Sequence, residues 1–88
     1  MTIAEFLTAL NAKFTTYTFF VERTGAKYTR VIQSTVGNKD SRSAYCFIDA
    51  EGNIYKPASW KTPAKGVRST LATFNVNSAD PFGGWLYR

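Results

Sequence analysis

The sequence contains no histidine and only one cysteine. Without histidine, the chain lacks the commonest general base, proton shuttle and metal ligand. Cys46 cannot form an intrachain disulfide, and its place beside Phe47 and Ile48 favours a small buried hydrophobe over a nucleophile. A structural zinc site would need four cysteine or histidine ligands. We therefore expect that the protein is not an enzyme and holds neither a metal nor a cofactor.

Phosphate-binding glycine motifs and long apolar runs are also missing. Gly83-Gly84 is followed by Trp85, not by a basic residue and a helix, so it does not predict a phosphate cradle. No apolar stretch approaches the roughly 20 residues that a membrane-spanning helix needs. The start lacks the basic and apolar runs of a secretory signal. We expect a cytoplasmic protein that does not contact a membrane and that forms a single domain over residues 1–88.

Acidic residues are scarce in the second half of the chain. The sequence carries 11 Lys and Arg against 6 Asp and Glu, a net charge of +5, and no acid lies between Gly52 and Ala79. The same segment contains Lys56, Lys61, Lys65 and Arg68. A field of one sign favours polyanions, although basic charge can also serve solubility alone.

The residues that are present predict one helix followed by two antiparallel hairpins. Thr2 and Glu5 have the spacing of a capping box, and apolar residues follow at helical period, so we predict a helix over 2–13. Alternating aromatic and β-branched residues predict strands over 17–22 and 27–35, joined by a turn at 23–26.

A second hairpin follows, with predicted strands over 44–49 and 54–59. Gly52 occupies the left-handed position of the turn between them, and Pro57 marks the last strand as short or at an edge. Asp49 and Glu51 flank this turn and are interpreted as surface residues rather than a carboxylate pair. Residues 67–74 could form a short strand or a helical turn, and three rings among the last seven residues predict a C-terminal segment that docks. The predicted fold is α+β, an N-terminal helix packed on a four-stranded antiparallel sheet with an irregular C-terminal segment.

The chain has more aromatic residues than one helix can cover. Strict alternation predicts that Phe20, Tyr45 and Phe47 point away from the helix, while Tyr55 and Trp60 adjoin Lys56 and Lys61. The partner of these rings could be the C-terminal segment, the second subunit of a homodimer, or nucleic acid bases. Exposed rings beside cations are the features that bind single strands.

The run from Tyr55 to Arg68, with the strand before it, resembles a group of small uncharacterised proteins from tailed bacteriophages. This resemblance implies a viral origin and expression in the cytoplasm of a bacterial host. Residues 49–67 are also similar to part of the positive-cofactor-four family, which binds single-stranded DNA. There a hairpin leads into a K-P and then a K-G-I segment, as at Lys56-Pro57 and Lys65-Gly66-Val67. That similarity implies DNA contacts by Lys56, Lys65 and Arg68.

We therefore predict a phage nucleic-acid-binding protein that prefers single-stranded DNA or RNA. The candidate stacking residues are Tyr45, Phe47, Tyr55 and Trp60. The candidate phosphate contacts are Lys27, Arg30, Lys56, Lys61, Lys65 and Arg68, and Arg42 could add charge nearby. The alternatives are a module that binds and modulates a host protein, since interfaces favour the same residue types, and a minor component of the virion.

Overall fold

A computed structural model describes residues 1–23, 27–38 and 41–87, with one helix, a five-stranded antiparallel sheet and two short 3₁₀ helices. The elements are α1 (Ile3–Lys13), β1 (Tyr17–Arg23), β2 (Tyr28–Thr35), β3 (Arg42–Asp49), β4 (Asn53–Tyr55), β5 (Ser69–Thr70), and the 3₁₀ helices Val76–Ser78 and Gly84–Tyr87. The strands lie side by side in chain order. The predicted α+β class is confirmed.

The sheet has five strands where four were predicted. The additional strand is β5, in which Ser69 pairs with Ile54 and Thr70 with Asn53. Two residues are too few to show an alternating pattern, so the sequence did not distinguish this strand from a helical turn. The fourth strand ends at Tyr55 instead of reaching residue 59, and Pro57 forms only an isolated bridge to Pro63. Proline cannot donate to a ladder, which explains the early end.

The helix forms and packs as its pattern predicts. The Thr2 hydroxyl accepts from the Glu5 N–H at 3.1 Å, and the Glu5 carboxylate accepts from the Thr2 N–H at 2.8 Å. Phe6 and Leu10 are fully buried against strand residues that include Phe19. No helix within the described ranges combines the length and apolar character needed to cross a membrane.

A β-bulge between β2 and β3 changes which β3 side chains face the helix. Val31 pairs with Cys46 but Ile32 pairs with Ala44, so Tyr45 is the additional residue. Tyr45 and Cys46 both belong to the core on the helix side. The prediction that Tyr45 points away from the helix is therefore wrong, because strict alternation does not hold across a bulge.

The C-terminal segment docks on Tyr45, as its aromatic content predicts. The Tyr45 hydroxyl donates to the Asp80 carbonyl at 2.6 Å and accepts from Trp85 Nε1 at 2.8 Å. The Asp80 carboxylate accepts from the backbone N–H groups of Phe82, Gly84 and Trp85. Burial raises the pKa of the Tyr45 hydroxyl, which stays protonated and able to donate.

The opposite face of the sheet carries a second group of buried residues. Ile32 and Phe47 are fully buried there and lie outside the helix-side core. Residues 56–64 double back beside this face, with the Ala64 N–H donating to the Lys56 carbonyl at 2.8 Å. Residues 24–26 of the predicted turn at 23–26 lie outside the described part of the chain.

Replacing Tyr45 with phenylalanine tests how firmly the C-terminal segment is held. The variant keeps the ring but leaves Trp85 Nε1 without its acceptor and leaves the Asp80 carbonyl with only the longer bond from the Gly83 N–H. We expect a loss of about 1–3 kcal/mol in the free energy of unfolding, the cost of unsatisfied buried polar groups. Urea unfolding measures this loss, and Tyr87→Phe, at an exposed ring, is the matched control. Equal stability of the two variants would show that these hydrogen bonds do not hold the segment.

Candidate nucleic-acid interface

Trp60 and Lys61 lie at the tip of a tight turn formed by residues 58–62. The Ala58 N–H donates to the Thr62 carbonyl at 3.0 Å, and the Ser59 and Thr62 hydroxyl oxygens are 3.0 Å apart. The Trp60 side chain is 38% exposed. The turn therefore presents a partly exposed ring on an internally bonded loop.

Arg30 fastens this tip to the sheet. Its guanidinium carbon lies 4.2 Å from the centroid of the Trp60 ring, and its Nη1 donates to the Trp60 carbonyl at 2.9 Å. Its Nη2 pairs with Glu22 Oε1 at 2.8 Å. Arg30 is only 8% exposed, and its buried Nε has no hydrogen-bond partner among the residues described. The Arg30 guanidinium is thus enclosed by protein groups, and the structure does not place it among the exposed cations.

Arg42 lies between two rings on the same surface. Its guanidinium carbon is 5.5 Å from the Phe20 centroid and 5.7 Å from the Trp60 centroid. Its Nη2 pairs with the second Glu22 oxygen at 2.9 Å. Phe20, Glu22, Arg30, Arg42 and Trp60 form what we call the Trp60 face. Two guanidinium groups share one carboxylate there, which leaves one net positive charge.

Three predicted stacking residues take other places. Tyr45 lies in the helix-side core, and Phe47 faces away from the helix as predicted but is fully buried. Neither ring has a surface free for a base. Tyr55 is half-buried, with its ring edge on Tyr28 and its hydroxyl donating to Asp49 Oδ2 at 2.8 Å. Of the four predicted rings, Trp60 alone stands on an exposed loop.

The predicted cations other than Arg30 fall into two groups, which are the four of the acid-free segment and Lys27. Lys61, Lys65 and Arg68 are exposed, and none forms an ion pair with a described residue. Lys56 lies with its Nζ 4.7 Å from the Tyr87 ring centroid. Lys27 instead lines a shallow depression with Asp49 and Glu51 at the β3–β4 turn. These two acids offset its charge, so the structure does not group Lys27 with the cations of the acid-free segment.

The Asp49 carboxylate organises the β3–β4 turn. It accepts from the N–H groups of Glu51 and Asn53, from the Asn53 amide and from the Tyr55 hydroxyl. Burial alone would raise the pKa of the Asp49 carboxyl, but the hydrogen bonds from Asn53, Tyr55 and Glu51 together lower it. Gly52 has the predicted left-handed conformation, with φ +84°. Asp49 thus stabilises the turn.

Glu22 is the residue of this surface that the sequence did not indicate. Alternation along β1 puts Glu22 on the same face as Phe20, but nothing local identifies their partners. The strand register does so, since Glu22 pairs with Arg30 and Phe20 with Ile32. Contacts between residues on neighbouring strands can be identified only when the strand register is known.

Comparison with known proteins identifies a family of unknown function. A model described as "Family of unknown function (DUF7717)" matches residues 3–88, so the chain belongs to this family. No curated protein and no solved structure matches the chain significantly.

The lowered pKa of Asp49 predicts a pH-dependent difference between the wild type and Asp49→Asn. A carboxyl whose pKa is lowered by folding stabilises the protein above its unfolded pKa of about 3.9, and this stabilisation disappears as the pH falls through the folded value. We therefore expect Asp49→Asn to be less stable at pH 7 and the difference to shrink below about pH 4. Urea unfolding across this range measures it, with Glu51→Gln as control. A difference that is constant with pH would contradict the assignment.

Arg30→Lys tests whether the guanidinium fastens the loop. Lysine keeps the charge but cannot stack on Trp60 while also donating to its carbonyl and to Glu22. Hydrogen bonds to charged groups contribute about 1.5–3 kcal/mol, so we expect the Ala58 and Ala64 amides to exchange ~10-fold faster or more. NMR hydrogen exchange measures these rates. Arg42→Lys, at the exposed ion pair, should leave them nearly unchanged, and equal rates in both variants would refute the role of Arg30.

Proposed function

We propose that this member of the DUF7717 family binds single-stranded nucleic acid on the Trp60 face, with little sequence preference. The observation that carries the proposal is the position of Trp60, whose partly exposed ring is fixed on Arg30 beside Arg42. The ring lies in a segment with four cations and no acid. Stacking rings beside cations are the shared feature of proteins that bind single strands.

The geometry of Trp60 suits stacking. One side of the indole is occupied by the Arg30 guanidinium, and the exposed part of the ring is open to a ligand. The hydrogen bond from Arg30 to the Trp60 carbonyl holds the loop in place before binding, which lowers the entropy that binding would lose. A ring on a projecting loop reaches a base whose face is free, as in a single strand, and stacking is tolerant of sequence.

The exposed cations suit the phosphates of the same strand. Lys61 adjoins Trp60 in sequence at the loop tip, and Lys65 and Arg68 follow along the segment that leads into β5. With no acid between Gly52 and Ala79, their charge is not offset from within this segment. Phosphate contacts of this kind hold the strand without reading its sequence.

The place of action follows from the resemblances. The run over residues 55–68 supports an origin in a tailed phage and action in the cytoplasm of its host. The similarity to the positive-cofactor-four segment supports contacts by Lys56 and Lys65. Both belong to the proposal and depend on the binding measurement below.

A protein partner is the second candidate, and one observation favours it. Phe82 is 74% exposed and meets the Tyr17 ring edge-on at a centroid distance of 5.4 Å. An exposed aromatic residue of this kind is typical of a binding hot spot when a partner covers it. This position is distinct from the Trp60 face, so Phe82→Ser can be tested against Trp60→Ala for retention of a host protein after nuclease treatment.

Fluorescence anisotropy with labelled single-stranded DNA, duplex DNA and single-stranded RNA at two salt concentrations tests the leading proposal. We expect tighter binding of single strands, which persists near physiological ionic strength. Trp60→Ala should weaken it by about 5- to 150-fold, the value of one stacked base. Lys61→Ala and Lys65→Ala should each lower the slope of log affinity against log salt by about 0.7.

Lys13→Ala is the control, because it removes the same charge from the C-terminal end of α1, where Lys13 Nζ donates to the Val76 carbonyl. Binding that ignores strandedness, disappears with modest salt and is indifferent to Trp60→Ala would refute the proposal. The charge would then be a nonspecific property, and the Phe82 experiment would take precedence.

A further inference from the structure

A cavity of about 450 Å³ opens on the sheet face that bears Trp60. Strand residues form its floor and the turn after β2 forms its end. Its lining consists of Thr18, Phe20, Ser34, Thr35, Val36, Gly37, Asn38 and Arg42. Its volume lies within the range of about 300–1,000 Å³ that is usual for small-ligand sites.

Strand register explains why these side chains meet. Thr18 pairs with Ser34, and Ser34 pairs with Arg42, so the three residues form a row across β1, β2 and β3. Phe20 follows Thr18 on the same face of β1, which is the face opposite to the helix. The loop with Trp60 does not line this cavity, so this part of the face remains open.

The cavity combines apolar walls, hydroxyl groups and one cation. Phe20 and the 58% exposed Val36 offer apolar surface, and Thr18 and Ser34 add hydroxyl groups. The Arg42 guanidinium lines one side and keeps its ion pair with Glu22 through Nη2. A nucleobase needs an apolar surface for its ring and polar groups for its edge, and its phosphate needs a cation. The charge and lining thus complement a nucleotide.

We infer that this cavity takes the base of one nucleotide of the single strand, while Arg42 binds the phosphate that links it to the nucleotide on Trp60. The inference rests on the proposed function, since it extends the same strand along the same face. Arg42 lies at nearly equal distances from the Phe20 and Trp60 rings, 5.5 and 5.7 Å from their centroids. If one base stacks on Trp60 and the next lies in the cavity, the phosphate that joins the two nucleotides lies between them, beside Arg42.

NMR titration with thymidine monophosphate, the dinucleotide TpT and a ten-residue oligothymidylate tests this inference. We expect the oligothymidylate and TpT to shift the methyl signals of Val36 and Thr18 as well as the Trp60 indole signal. TpT should bind more tightly than the monophosphate, because it occupies both positions. Arg42→Gln should weaken TpT binding by about tenfold, the usual contribution of a hydrogen bond to a charged group. It should also remove the Val36 and Thr18 shifts.

The controls separate the cavity from the rest of the binding surface. Lys13→Gln removes one positive charge from the C-terminal end of α1, which does not line the cavity, and it should keep the Val36 and Thr18 shifts. Phe20→Leu keeps an apolar side chain in the cavity wall and should weaken TpT binding without unfolding the protein. The NMR spectrum of the variant shows whether it is folded.

If oligothymidylate binds through Trp60 while Val36 and Thr18 do not respond, and Arg42→Gln behaves like Lys13→Gln, the cavity inference is overturned and the proposed function stands. If the nucleotides shift Val36 and Thr18 but single strands bind no better than duplex, the cavity is supported and the proposed function fails.

Discussion

The structure depends on one constraint, which is that a five-stranded sheet has two apolar faces and the described part of the chain has one α-helix. The helix buries Phe6 and Leu10 against the first face, where the C-terminal segment completes the core around Tyr45. The second face carries Ile32 and Phe47, both fully buried. The described part of the chain has no second α-helix to cover this face. The short loop that carries Trp60 covers it instead, which explains the position of Trp60.

Arg30 allows this short loop to cover the second face, although moving a cation out of water into the protein costs free energy. Glu22 offsets the charge, the Trp60 carbonyl takes one donor, and the indole ring covers the guanidinium. The arrangement has a chemical consequence, since it holds an aromatic ring at the surface with a cation behind it. The same group that completes the packing of the second face thereby supplies the cation behind the Trp60 ring on which the proposed binding depends.

Much of the fold could be predicted because its signals are local. The capping box of Thr2 and Glu5, the helical stripe and the turn at Gly52 each depend on residues close in sequence. The strand β5 could not be predicted, because two residues have no period. For the site, the acid-free segment and Trp60 were visible in the sequence, but the burial of Arg30 depends on its contact with Trp60, which lies 30 residues later in the chain. Such long-range contacts leave no local pattern.

The bulge in β3 connects the core to the candidate site. On the C-terminal side of Tyr45 in β3, Phe47 pairs with Arg30. On its N-terminal side, Ala44 pairs with Ile32 and Arg42 with Ser34. In an unbroken strand the odd-numbered residues would continue on the Trp60 face, so Tyr45 would lie there and Arg42 would turn towards the helix. The single additional residue reverses both positions. It gives Tyr45 to the core, where it holds the C-terminal segment, and it gives Arg42 to the surface between Phe20 and Trp60. Restoring regular alternation would therefore remove a core residue and a candidate phosphate contact in one step, which ties the binding surface to the stability of the fold.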